Sequence, residues 1–393
     1  MIKHPIDLST PAPTPKSRFF PELESARGIA ALLVAGFHCG QAPTLIAGAT
    51  GRLSDPRQEG FWELPKNLYG LLVSGTGFPH HGVLFFFVLS GFVLTDSLLQ
   101  GPAGTGRAAG RFFIARFFRI YPAIAGTILV FLAAHAFLGL ALDPNGYSAS
   151  SIVRNIALLQ TNIDGVMWTL QVEILALPLI FAAFVLHGRV GIGAVAAFTL
   201  ALTLLGFGGP WARLVGDWPS RTQWLFAFLF GVLSYHLGRQ AFQGMRKRSA
   251  TILFLASVVV FFLVGTAIHK VWEIIFKGAA AGAILGLLAF APRITASALL
   301  RTGPLRFLGR ISYSFYLLHP LTLAVIWKQP ALLGGWIERG VPTFLIMLAL
   351  WLGTTVAILP LAWLMYRAVE LPFIRLGKHL WKRVSAPRNP AIG

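Results

Sequence analysis

The chain returns again and again to apolar runs long enough to cross the hydrocarbon layer of a bilayer, which takes roughly 17 to 25 residues of helix. Such runs fall near 28–47, 82–100, 122–142, 168–187, 190–209, 223–239, 250–268, 272–291, 311–329 and 341–366. With 55% hydrophobic and only 12% charged residues among 393, there is more apolar side chain than one soluble core of this size buries. Inside lipid every backbone N–H and C=O needs a partner within the protein, so runs of this length read as helices. The expected fold is all-α, a polytopic membrane helical bundle of about ten transmembrane helices.

A net charge of +19 would suit a nucleic-acid binder, but the distribution of the charge argues otherwise. Basic residues gather in alternate gaps between the apolar runs: Lys3, Lys16, Arg18 and Arg27; then Arg107, Arg111, Arg116 and Arg119; then Arg239, Arg246, Lys247 and Arg248. Further groups follow at Arg293 to Arg310 and at Arg367 to Arg388. By the positive-inside rule both termini are cytoplasmic, and the inner face holds most of the 33 Lys and Arg residues. The first apolar run starts too late and runs too long for an ordinary cleavable signal, so it reads as a retained span. The single cysteine, Cys39, excludes an intramolecular disulfide and a cysteine-based zinc site. Three regions are expected: a cytoplasmic N-terminal segment 1–26, a transmembrane domain 27–375, and a basic cytoplasmic tail 376–393. Within the domain, 48–81 is expected outside the cytoplasm as a lid or short re-entrant element.

Four segments carry candidate chemistry. Arg27 and His38 are eleven residues apart, about three helical turns, which puts them near one face with about 16 Å between them. A histidine this deep in a span suggests function by default; as a neutral imidazole it suits a general base that takes a proton from an attacking hydroxyl. A packing histidine bonded to a neighbouring helix is the alternative. Cys39 next to it points about a quarter-turn away, so a Cys–His nucleophile is disfavoured. In Arg111-Phe-Phe-Ile-Ala-Arg116-Phe-Phe-Arg119-Ile-Tyr-Pro122, Arg116 and Arg119 share a face if the segment is helical, and guanidinium forks suit the phosphates of coenzyme A. Snorkelling arginines of a membrane-surface helix would show the same pattern. The third segment, Met167 to Glu173, takes Trp168 and then a carboxylate into the fourth span, where Glu173 could orient His38, bind acceptor hydroxyls or stay a neutral structural acid. The fourth, Leu308 to Pro320, puts Ser312, Tyr313 and Tyr316 early in a span and His319 just ahead of Pro320, which marks a kink or a cavity wall. His80-His81 lacks the ligand set for a metal.

Together these segments resemble the acyltransferase-3 family of integral membrane O-acyltransferases, over nearly the whole chain. The family's Arg, ten residues, His falls on Arg27 and His38, and its Arg-x-x-Arg on Arg116 and Arg119. Its Trp-Ser/Thr-Leu-x-x-Glu falls on Trp168 to Glu173, and its Gly-Arg-Ile-Ser-Tyr-Ser-x-Tyr-Leu-x-His on Gly309 to His319. Gly82 to Gly91 and Glu370-Leu-Pro372-Phe match two further motifs; Glu24 stands where Asp is usual. The resemblance implies a multi-pass protein of the bacterial inner membrane that moves an acyl group, acetyl by default, from cytoplasmic acyl-CoA to a hydroxyl of an extracytoplasmic saccharide or glycan. No metal and no nucleic acid would be involved. His38 and Glu173 would be catalytic; Arg27, Arg116 and Arg119 would hold acyl-CoA; and Glu24, Trp168, Ser312, Tyr313 and His319 would bind substrate. The alternative from another class is a transporter or lipid-handling protein in which the buried His and Glu relay protons.

Overall fold

A computed structural model of the protein describes residues 20–50, 56–73, 81–102, 104–140, 142, 147–207, 224–264 and 270–385. Among these residues every regular element is helical. In chain order they are α1 (Pro21–Thr50), α2 (Pro56–Val73), α3 (His81–Leu99), α4 (Thr105–Leu138), α5 (Ala149–Ile156), α6 (Trp168–Arg189), α7 (Ile192–Phe207) and α8 (Leu225–Phe242). Next come α9 (Lys247–Leu263), α10 (Lys270–Phe290), α11 (Thr295–Leu300), α12 (Gly303–Leu318), α13 (Pro320–Trp327), α14 (Pro330–Glu338), α15 (Thr343–Met365) and α16 (Leu371–Ser385). A π-helical turn, Tyr366–Glu370, joins α15 to α16 and turns the buried Glu370 carboxylate onto the Ser314 hydroxyl.

Five stretches among the described residues are long and apolar enough to cross a membrane: His81–Leu99, Thr105–Leu138, Gly165–Arg189, Trp272–Phe290 and Thr343–Val384. The chain is thus a multi-pass membrane helical bundle. Other expected spans coincide with helices that are short, interrupted or polar. The run 250–268 is helical to Leu263, giving α9 17 residues. The run 311–329 is divided at His319–Pro320 between α12 and α13, because proline supplies no amide to continue the ladder. α1 carries Glu22, Glu24, Arg27 and His38 along its apolar length. The third span differs from expectation in its start: α4 begins at Thr105 and runs through Pro122, taking the whole basic and aromatic stretch into one helix of 34 residues. Packing on both sides keeps such a proline within a membrane helix. Of the expected loop 48–81, residues 56–73 form α2, whose Tyr69 is buried and donates to the Gly36 carbonyl at 2.5 Å.

α1 lies at the centre and packs on α3, α12 and α15; α3 packs on α8, α8 on α10, and α16 lies along α4. Several crossings among the described residues are backbone against backbone. A methyl on Gly309 would stand 2.1 Å from the Glu24 carbonyl oxygen, and one on Gly91 would stand 1.8 Å from that of Phe228. Glycine is the only residue that permits either approach. Large buried rings, among them Phe92, Phe131, Phe226, Phe228 and Phe315, fill the interior between these crossings.

Candidate active site

The α1–α12 crossing builds one side of the site. Because the two backbones touch, the Arg27 guanidinium reaches across: Nε donates to Ser312 Oγ at 2.9 Å and Nη2 to the Gly309 carbonyl at 2.8 Å. Ser312, fully buried, donates to the same carbonyl at 2.8 Å. Ser312 therefore holds Arg27 in place and is not in the cavity wall. Two ion pairs brace the crossing, Arg301 Nε to Glu22 Oε1 at 2.5 Å and Arg306 Nε to Glu24 Oε2 at 3.7 Å. Glu24 faces Arg306 and likewise stands outside the cavity wall.

Arg27 lines a cavity together with Arg116 and Arg119 of α4, Thr169 and Glu173 of α6, and Tyr313 and Tyr316 of α12. The rest of the wall is apolar and comes largely from α3, including Phe86, Phe87, Leu89 and Val93, with Ser90 among them. The Arg119 guanidinium lies 5.8 Å from the centre of the Tyr313 ring, a cation–π contact that fixes both groups. Arg116 Nε and the Tyr313 hydroxyl are buried with no hydrogen-bond partner among the described residues. Donors left unmade at a cavity wall are satisfied when a polar ligand enters.

A second cavity has Arg116 and Arg119 in its wall too. Arg111, Lys378, Trp381 and Lys382 join them there. The sequence marked Lys378 and Lys382 only as part of the basic end of the chain. The helical spacing of Lys378, Trp381 and Lys382 was the available signal, since residues three and four apart share a face.

Trp168 packs instead against the rings of Phe87 and Trp224, with centroids 6.2 and 5.9 Å away, while Thr169 and Glu173 of the same motif reach the cavity. His38 and His319 are not in the wall of either cavity. They meet each other: His38 Nδ1 is 3.0 Å from His319 Nε2, and their rings are 5.1 Å apart. His319 is completely buried and His38 partly exposed. Tyr316 stands between the histidine pair and the cavity. Its ring is 5.7 Å from that of His319, and its hydroxyl bonds Thr169 Oγ1 at 2.9 Å and the Val166 carbonyl at 3.0 Å. In the turn before α6, Asp164 is fully buried, accepts from the Val166 amide at 3.3 Å and leaves Oδ2 without a partner among the described residues. Burial pushes its carboxyl well above the usual carboxylate range. Among the described residues no group of three or more His, Cys, Asp or Glu side chains is arranged to hold a metal ion; His80 lies outside them.

The sequence model of a family described as "Acyltransferase domain" matches residues 20–367. Comparisons with curated proteins and with solved structures found no match.

Proposed function

Because the chain belongs to the acyltransferase-3 family, we propose that it is a membrane O-acyltransferase that transfers an acyl group from cytoplasmic acyl-CoA to a hydroxyl of an extracytoplasmic saccharide or glycan. Acetyl-CoA is the default donor. The proposal includes about ten spans, cytoplasmic termini and a place in a bacterial inner membrane.

One observation carries the reading: three guanidinium groups from two helices converge on a cavity whose opposite wall is apolar. Coenzyme A offers a pyrophosphate and a 3′-phosphate, and guanidinium forks pair with phosphate oxygens in a planar, bidentate way. Arg27, Arg116 and Arg119 hold the pyrophosphate end. The basic second cavity with Arg111, Lys378 and Lys382 receives the 3′-phosphate nucleotide, and Trp381 offers its ring as a stacking face. The apolar wall of α3 takes the pantetheine arm and the acyl chain.

His38 is the general base. Its imidazole takes the proton from the acceptor hydroxyl as that oxygen attacks the thioester carbonyl. The carbon–oxygen bond forms, the carbon–sulfur bond breaks, and the proton passes to the departing thiolate to give free CoA thiol. Tyr313, with its unmade donor at the cavity wall, and Glu173 orient the reacting groups.

The test is thiol release from acetyl-CoA by purified protein in the presence of acceptor glycan. Wild-type protein should release thiol, and His38→Ala should lose about 100-fold or more, the usual worth of a general base. Turnover untouched by that substitution removes His38 from the chemistry, and thiol release that never acylates a glycan removes the acceptor class.

A further inference from the structure

The contact between the two histidines decides which nitrogen of His38 is the base, an inference that rests on the base role proposed above. Four residues after Tyr316 the chain has Pro320, which has no N–H, so the Tyr316 carbonyl lacks its normal helical donor. His319 Nδ1 lies 2.6 Å from that oxygen. A carbonyl only accepts, so Nδ1 of His319 bears the hydrogen and donates it. His319 is completely buried, and no carboxylate stands within ion-pair distance of it among the described residues. A cationic ring there would have nothing to balance it, so the neutral form is the one the site accommodates.

In a neutral imidazole one nitrogen donates and the other accepts. With Nδ1 of His319 donating, its Nε2 holds a lone pair, and that nitrogen stands 3.0 Å from Nδ1 of His38. The donor in this second bond is therefore His38 Nδ1–H, and the Val34 carbonyl, one turn back on α1, is a further acceptor for the His38 ring. We infer that His319 is a positioning residue: anchored on the carbonyl that Pro320 sets free, it locks His38 in the Nδ1–H tautomer and leaves the basic lone pair on Nε2. The Thr322 hydroxyl donates to the His319 carbonyl at 2.7 Å and steadies the kink that carries the ring. When the acceptor hydroxyl gives its proton to Nε2, the new imidazolium already donates from Nδ1 to an oriented lone pair. No ring has to turn and no proton has to move along the pair.

The test has two independent readouts. Nitrogen-15 NMR of histidine-labelled protein in detergent reports which ring nitrogen bears hydrogen, with the His38 signals identified by their loss in His38→Gln. Wild type should show His38 protonated at Nδ1 and bare at Nε2; the opposite tautomer overturns the inference whether or not the protein is an acyltransferase. Kinetics supply the second readout. His319→Phe keeps a planar ring, somewhat larger, without an acceptor, and should lower kcat about 100-fold while KM for acetyl-CoA stays within about twofold. His319→Gln puts an amide oxygen near the position of Nε2 and should recover at least about tenfold of that loss. Equal losses in the Phe and Gln variants would make His319 a packing residue and overturn the inference. Loss in His38→Ala with full activity in His319→Phe would overturn it too and leave the base role standing. Full activity in His38→Ala would remove the base role while the tautomer result still stood by itself.

Discussion

Replacing Gly309 with alanine tests whether a backbone contact, and not the arginine alone, sets the geometry of the site. The added methyl carbon would stand 2.1 Å from the Glu24 carbonyl oxygen and 2.5 Å from its carbon. Carbon and oxygen come to rest at roughly 3.3 Å, so α1 and α12 must part by about 1.2 Å. The two bonds from Arg27 to the far helix, 2.9 and 2.8 Å long, then stretch to about 4 Å, beyond hydrogen-bond range. Overpacking of this kind costs about 1–3 kcal/mol, and a misplacement of about 1 Å in a binding group costs about 100-fold in rate. Purified Gly309→Ala protein should therefore unfold at lower temperature in detergent and lose about 100-fold in kcat/KM for thiol release from acetyl-CoA. Gly353→Ala on α15 is the control, since nothing lies within 4 Å of its added methyl. It should keep full activity and gain up to about 1 kcal/mol. If Gly309→Ala stays within twofold of wild type while Arg27→Ala is inactive, the crossing does not hold the arginine and the reasoning fails.

Arg116→Ala should raise KM for acetyl-CoA at least about tenfold with a smaller change in kcat, measured by steady-state kinetics, because it removes a charge-assisted contact to phosphate. Lys378→Ala combined with Lys382→Ala should weaken binding of CoA but not of its form lacking the 3′-phosphate; calorimetry that finds equal losses would move the nucleotide elsewhere. Tyr316→Phe removes the hydroxyl that ties α12 to Thr169 and Val166, and should lower stability by about 1–2 kcal/mol in thermal unfolding. Asp164 gives a pH signature. Its folded carboxyl binds a proton more tightly than the unfolded one, so the part of the stability that depends on Asp164 is greatest at low pH and is lost as pH rises above about 4. Thermal unfolding of Asp164→Asn across that window should show a flatter pH slope than wild type.

Much of the cavity was legible because its residues sit in short motifs whose spacing survives folding. Arg116 and Arg119 are three apart on one helix, and Glu173 and Tyr313 each lie inside a run that reads as a span. What escaped was set by helix against helix. Trp168 and Ser312 share motifs with cavity residues but point to neighbouring helices, since each residue along a helix turns about 100° from the last. The pairing of His38 with His319 spans 281 residues of sequence and depends on the depth at which α1 crosses the kink. Pro122 read as a helix start because proline favours that position in water; within the bundle it is carried inside α4. The lysines of α16 read as a loose basic end until that helix was seen lying along α4.

The meeting of α3 with α8 bears on the proposal that the α3 wall takes the acyl chain. The helix that supplies the apolar wall also carries Gly91, wedged on the Phe228 carbonyl, so its back is braced by main chain and not by compressible side chains. Such a wall has no give. On the proposed placement of the acyl chain against this wall, selectivity for chain length works as a hard stop, and trimming Phe86, Phe87 or Leu89 one side chain at a time should admit bulkier donors in steps.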